Sequence, residues 1–61
     1  MSAARLRGLE AAFEHNALRL VDVAASVEGV DGRTLRRVGM AGVELAGIIG
    51  DLTDRIEEEG Q

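Results

Sequence analysis

The sequence contains no cysteine and no lysine, one histidine, and one aromatic residue, Phe13. Without cysteine it cannot form a disulfide bond, and a single histidine is poor material for a transition-metal site. Small folded chains usually depend on a disulfide, a bound metal or a partner chain. With 61 residues the chain can form only one domain. Oligomerisation is therefore the remaining route to a stable fold.

Charge and hydropathy argue against several classes of protein. The net charge of −4 disfavours broad binding to phosphate backbones, which needs a basic surface, but it leaves a local basic patch open. The longest nearly uncharged stretch, residues 38–50, contains Glu44 and is shorter than the roughly 18 apolar residues of a membrane span. Glu10 and Glu14 lie where a secretory signal would be apolar, so we expect a cytoplasmic protein.

Two stretches carry the heptad spacing of packed α-helices, with key positions alternately three and four residues apart. The first set is Leu6, Leu9, Phe13, Asn16, Leu20, Val23 and Val27, and the second is Leu35, Val38, Gly42, Leu45, Ile49, Leu52 and Ile56. They predict helices over residues 3–28 and 32–59. Gly29 suits the left-handed position after a helix and Asp31 suits a helix cap, which places the turn at residues 29–31. A turn this short makes the helices antiparallel neighbours. The predicted fold class is all-α, an antiparallel helical hairpin.

One register satisfies both sets. Folding at the turn pairs them position by position, beginning with Leu6 beside Ile56, and the residue numbers of every pair add up to 61 or 62. Charges agree with this register, because Arg5 and Arg7 fall beside the glutamates at 57–59. Each exposed ion pair contributes only about 0–1 kcal/mol, so these pairs indicate orientation and not stability.

Both helices are apolar on more than one side, and contiguous exposed apolar patches usually mark interaction sites. Glycine within a helix costs about 1 kcal/mol relative to alanine, so the small residues at 39–50 need a compensating role. Close helix approach would supply it, although a locally flexible helix in a marginal protein is the alternative. We expect a homodimer that forms a four-helix bundle. The predicted oligomer interface is Asn16, Met40, Gly42, Val43, Ala46, Gly47, Ile48 and Gly50.

Asn16 occupies a heptad position among apolar residues. A single buried asparagine can fix register and partner number in helical assemblies, and this role is preferred here to ligand binding. The expected architecture is similar to the Rop type of plasmid regulatory protein, another short helical hairpin that dimerises. The likeness is one of architecture and involves no shared motif. Tetramers, and a hairpin completed by helices of another protein, remain open.

Arg33, Arg36 and Arg37 form an arginine cluster in the first turns of the second helix. There the helix dipole disfavours positive charge, which Glu28 across the turn would only partly offset. Arginine clusters bind phosphates and acidic peptides, so the cluster is a candidate partner-binding site. The alternative is a solvated helix end without a ligand.

The sequence offers no catalytic or metal-binding constellation. His15 has no second histidine or cysteine to join it, and Ala12 stands where the di-iron bundle pattern requires glutamate. We therefore predict a non-enzymatic protein without a cofactor. Its expected function is protein–protein interaction, as a homo-oligomeric assembly, adaptor or regulatory module. The alternative is a Rop-like nucleic-acid-binding regulator that uses the arginine cluster.

Overall fold

The computed structural model describes residues 2–60, which form two packed α-helices joined by a short turn. Helix α1 spans Ala3–Ala24 and helix α2 spans Gly29–Glu59. The helices run antiparallel and give the molecule the shape of a rod measuring 49 × 14 × 12 Å. The prediction of an all-α helical hairpin is confirmed.

Helix α1 begins with a side-chain cap. The Ser2 hydroxyl oxygen accepts a hydrogen bond from the backbone N–H of Arg5 at 3.1 Å, which satisfies one of the donors left unpaired at the start of a helix. Helix α2 has no such cap, because the side chain of Glu28 makes no hydrogen bond to the first turn. The two helix starts therefore differ in how they are stabilised.

The turn lies earlier in the chain than the sequence predicted. Helix α1 ends four residues before position 28, because the N–H groups of Ala25, Ser26 and Val27 each bond to the carbonyl three residues back, at 3.0–3.2 Å. Gly29 has a φ of +76°, the left-handed conformation expected of it, but it belongs to the start of α2. Asp31 consequently lies inside the first turn of α2, where a negative charge suits the helix dipole, and not at the cap.

The two helices meet through small side chains. The buried residues are Ala17 and Ala24 on α1, and Gly32, Gly39, Gly42, Ala46 and Thr53 on α2. A Cβ atom added to Gly39 would lie 2.9 Å from the carbonyl oxygen of Ala17, and one added to Gly42 would lie 2.8 Å from the Ala17 Cβ. The backbones thus approach too closely for larger residues at these positions. The close approach expected of the glycines occurs within the chain, between α1 and α2.

Thr53 is the one polar side chain in this interface that is fully buried, among the described residues. Its hydroxyl donates a hydrogen bond to the carbonyl oxygen of Ile49 at 2.8 Å, one turn earlier in the same helix. Burying a hydroxyl is costly unless it is hydrogen-bonded, and this local bond meets the requirement. Thr53 can therefore serve as a small interface residue.

The heptad sets predicted to face each other lie side by side instead. The register is close to the prediction, since Gly39 meets Val21 and Gly50 meets Glu10, pairs whose numbers add up to 60. The contacting faces, however, are turned by roughly 70° about each helix axis, at 3.6 residues per turn. Leu9 and Leu45, predicted to lie in the hairpin interface, are 59% and 49% exposed. The cause is size, because glycine and alanine allow a closer helix approach than leucine does.

The open end of the hairpin carries an ion-pair cluster. The guanidinium of Arg7 donates to Asp54 at 2.6 Å and also to Glu57, which agrees with the predicted orientation of the helices. The hydrogen bond to Asp54, followed in size of effect by the one to Glu57, raises the pKa of Arg7 above its already high ordinary value. All three side chains remain substantially exposed, so the cluster marks orientation more than it stabilises the fold.

Candidate interaction surface

One broad side of the hairpin is apolar. Both heptad sets flank the contact between α1 and α2 on the same side and form a continuous surface, which we call the apolar face. Its exposed members are Leu9, Phe13, Val23, Val38, Leu45, Leu52 and Ile56, and its half-buried members are Leu6, Leu20, Leu35 and Ile49. Val27 lies in the turn, beyond the end of α1, and is not part of the face. A shallow groove lined by Phe13 and Leu20 of α1 and by Val38 of α2 runs between the helices. That groove establishes that the two sets share one side.

The large apolar side chains of this face are substantially exposed. Its seven exposed members retain between 40% and 59% of their accessible surface, and each has an aliphatic or aromatic side chain. Scattered apolar residues are ordinary on protein surfaces, whereas contiguous patches of this kind usually mark binding sites. The apolar face is therefore the strongest candidate for contact with another macromolecule.

Asn16 lies in the middle of the apolar face. It is exposed and lines the groove together with Phe13 and Val38. On α1 the face runs from Leu6 to Val23, and Asn16 is the one amide side chain in this otherwise apolar row. A polar group in that position would need a hydrogen-bond partner if the face were covered.

Part of the predicted oligomer interface is enclosed within the chain itself. Gly42 and Ala46 are buried under α1, and Ala46 retains only 1% of its accessible surface. Val43 and Gly50 are half-buried, and a Cβ atom on Gly50 would touch the carboxylate of Glu10. The prediction that this row of small residues receives a second chain is corrected, because α1 already occupies it.

The other predicted interface residues remain exposed. Met40 and Gly47 lie on the part of α2 turned away from the apolar face, and Asn16 lies on that face. Ile48 lies at the edge of the face, one helical turn from Leu45 and from Leu52. Two further large apolar residues, Leu18 and Val30, are also exposed away from it. These residues are separated by charged ones along their helices and form no surface comparable to the apolar face.

The arginine cluster is exposed near the turn. Arg36 and Arg37 line a shallow groove with Met40, and Arg36 lines a second groove with Arg33 on the side opposite the apolar face. Within residues 2–60, the ion pairs are those of Arg7, so the three clustered arginines have no acidic partner there. Glu28, expected to offset part of this positive charge, forms no ion pair with the cluster.

The single histidine, His15, is exposed on α1. Over the part of the chain that the structure describes, no three His, Cys, Asp or Glu side chains are grouped as the ligands of a metal ion would be. The absence of enzymatic activity and of a cofactor stays a prediction from the sequence. Chemistry of this kind therefore gives no positive indication of function.

No protein-family model, curated protein or solved structure matches this chain. Within the described residues, neither helix combines the length and the apolar character needed to cross a membrane. The cytoplasmic location stays a prediction. The surfaces of the hairpin, above all the apolar face, are therefore the features that indicate a function.

Proposed function

We propose that this chain is a non-enzymatic protein–protein interaction module that self-associates through its apolar face into a four-helix bundle. Two hairpins stacked face to face would bury the exposed leucine, valine, isoleucine and phenylalanine side chains between them, as in antiparallel bundles. The observation that carries this proposal is the continuity of the apolar face over both helices. Assembly, adaptor or regulatory roles all fit such a module.

The accessible surface area of the chain is larger than that of a typical monomer of its mass, which supports a partner that covers part of it. A folded monomer of 6.5 kDa exposes about 3800 Å² by the usual scaling of surface with mass, whereas this chain exposes 4763 Å². The surplus of about 950 Å² is similar to the roughly 800 Å² that each partner buries in an interface of standard size. The hairpin as a whole therefore exposes as much additional surface as one partner buries in a standard interface, although area alone does not fix affinity.

The arginine cluster favours a second candidate function. Arg33, Arg36 and Arg37 are exposed, lack acidic partners within the described residues, and would appear twice in a dimer. A nucleic-acid-binding regulator would use them as contacts to phosphate oxygens. The net charge of −4 and the lack of exposed stacking aromatics apart from Phe13, which is part of the apolar face, make this the weaker candidate.

A matched pair of substitutions on α2 tests the proposal. Leu45 and Met40 are large apolar residues with 49% and 52% exposure, but only Leu45 belongs to the apolar face. Leu45→Glu would place a charge inside the proposed interface and should abolish dimerisation, whereas Met40→Glu should leave it intact. Sedimentation equilibrium over a range of concentrations measures the association, and circular dichroism follows the helix content.

The outcomes separate the two sides of the molecule. Loss of the dimer in Leu45→Glu alone would support the apolar face as the interface. Loss in Met40→Glu alone would favour the interface that the sequence predicted around Met40 and Gly47. A wild-type chain that sediments as a monomer throughout would contradict self-association, and the apolar face would then have to receive a different protein.

A further inference from the structure

The α1 part of the apolar face is symmetric about its centre. Its positions from Leu9 to Val23 are spaced so that reversing the helix direction brings each onto another of these positions or onto itself. Leu9 then lies opposite Val23 of a second helix, and Phe13 lies opposite Leu20. Asn16 alone lies opposite its own copy. Two α1 helices can therefore pack antiparallel, face to face, with the positions from Leu9 to Val23 matched.

The α2 part of the face has the same symmetry. Reversal brings Val38 opposite Leu52 and the small Gly42 opposite the large Ile49, a pairing that suits interdigitated packing. Leu45 lies opposite its own copy at the centre. The groove that contains both Asn16 and Gly42 places the α1 centre within about one helical turn of Leu45. One two-fold axis, crossing both helices in the plane of the face, passes close to both centres.

Two hairpins can also stack face to face about a two-fold axis that runs along the hairpin, and Asn16 distinguishes the two arrangements. If the axis ran along the hairpin, α1 would face α2 of the second copy at the same level, and Asn16 would be buried opposite apolar residues around Leu45. A buried amide without a hydrogen-bond partner costs about 1–3 kcal/mol. With the axis across the helices, two Asn16 side chains meet, and each amide can donate to and accept from the other.

The charges favour the same choice. The half of the chain nearest the turn, residues 19–44, carries four arginines and four acidic residues and has no net charge. The remainder carries three arginines and seven acidic residues, which account for the net charge of −4. An axis along the hairpin would bring the two acidic ends together. An axis across it would place them at opposite ends of a rod 49 Å long. Over that distance salt screens the repulsion between exposed charges.

We propose that a second copy of this chain covers the apolar face in one defined orientation, an inference that rests on the proposed self-association. The two copies are related by a two-fold axis across the helices, with Asn16 of one copy hydrogen-bonded to Asn16 of the other. The turns, with their arginine clusters, then lie at opposite ends of the bundle. Asn16 acts as the residue that specifies this orientation.

Cysteine cross-linking tests the orientation, because the chain has no cysteine of its own. Leu9→Cys is mixed with Val23→Cys in one sample and with Leu52→Cys in another, and a short thiol cross-linker is added after subunit exchange. Both samples keep Asn16. In the proposed dimer the first pair is adjacent, whereas the second is separated by roughly 21 Å along the bundle at 1.5 Å per residue. The alternative dimer reverses these two distances.

The expected result is a cross-linked heterodimer in the first mixture and no cross-linked heterodimer in the second. Cross-linking of the second mixture, or of both equally, would overturn the proposed orientation while leaving self-association in place. Sedimentation equilibrium of each reduced variant identifies a different failure, in which the chain is monomeric and the proposed function itself is contradicted.

A second variant tests the role of Asn16. Asn16→Leu should preserve the dimer, since it makes the centre of the apolar face fully apolar, but should allow cross-linking in both mixtures. If the double variants that combine Asn16→Leu with the cysteines still cross-link only in the first mixture, Asn16 does not specify the orientation.

Discussion

Replacing Gly39 by alanine should destabilise the hairpin even though alanine is the better helix former. A Cβ atom at this position would lie 2.7 Å from Val21 Cγ2, 2.9 Å from the Ala17 carbonyl oxygen and 3.1 Å from the Val21 amide nitrogen. Two of these atoms belong to the backbone of α1, so a side-chain rotation cannot relieve the contact. The helices would have to move apart along a row where they now touch.

The expected magnitude follows from two opposing effects. Alanine gains up to about 1 kcal/mol over glycine inside a helix, whereas overpacking a tight interface costs about 1–3 kcal/mol. Gly47→Ala is the matched control, because Gly47 is in the same helix and a Cβ atom there meets nothing within 4 Å. Gly47→Ala should therefore gain the helix propensity of alanine without the cost of overpacking. The two variants should therefore differ in unfolding free energy by about 1–3 kcal/mol, with Gly39→Ala the less stable.

Urea and thermal unfolding followed by circular dichroism measure this difference. In a domain of this size 1 kcal/mol shifts Tm by roughly 4–8 °C, so the expected separation is easily resolved. Both variants must be compared at one protein concentration, because self-association makes the apparent stability depend on concentration. Equal stability of the two variants, or a more stable Gly39→Ala, would refute the close approach of α1 and α2.

Two further predictions concern the ends of the helices. Ser2→Ala removes the hydroxyl that accepts from the Arg5 N–H and should lower the unfolding free energy by about 1 kcal/mol, measured by urea unfolding; an unchanged midpoint would show that the cap contributes nothing. Replacing Arg36 and Arg37 together by alanine should leave sedimentation and helix content unchanged, because both are exposed outside the apolar face. If the chain binds nucleic acid in a salt-dependent way, this double variant should lose that binding.

The sequence predicted the hairpin and nearly its register, because both depend on local signals. Heptad spacing defined two helices, and Gly29 indicated a turn close to its actual place. The open-end charges also placed Arg7 beside Glu57 correctly. These features follow from the positions of residues along one helix, or from one short turn, and need no knowledge of which helix face is turned inward.

The inward face was the part that the sequence analysis misassigned. The large residues were expected to pack within the hairpin and the small ones to receive a second chain, whereas in the structure the small residues pack within the hairpin and many of the large ones are exposed. A signal for this was present in a second heptad row, formed by Gly32, Gly39, Ala46 and Thr53 on α2 and by Ala3, Glu10, Ala17 and Ala24 on α1. Hydrophobicity alone ranks leucine rows above alanine rows, so a pattern based on apolar spacing overlooks it.

Thr53 and Glu10 show why that row was hard to recognise. Neither is a typical interface residue, and each is accommodated by a contact that spacing cannot predict. Thr53 satisfies its hydroxyl on the Ile49 carbonyl, and Glu10 lays its carboxylate over Gly50, where no side chain occupies the space. Both solutions depend on the three-dimensional distance between the helices.

The distribution of side-chain sizes links folding to assembly. Among residues 2–60, the fully buried apolar side chains are Ala17, Ala24 and Ala46, and each methyl group contributes only about 0.8 kcal/mol. Full burial of a leucine, isoleucine, valine or phenylalanine contributes about 1.5–3 kcal/mol, and those residues are concentrated on the apolar face. The exposed members of this face retain 40–59% of their accessible surface, so part of the hydrophobic stabilisation that this sequence can supply is obtained only when the face is covered. Close packing of small residues shapes the hairpin, and association through the large ones would stabilise it, so folding and assembly should be coupled.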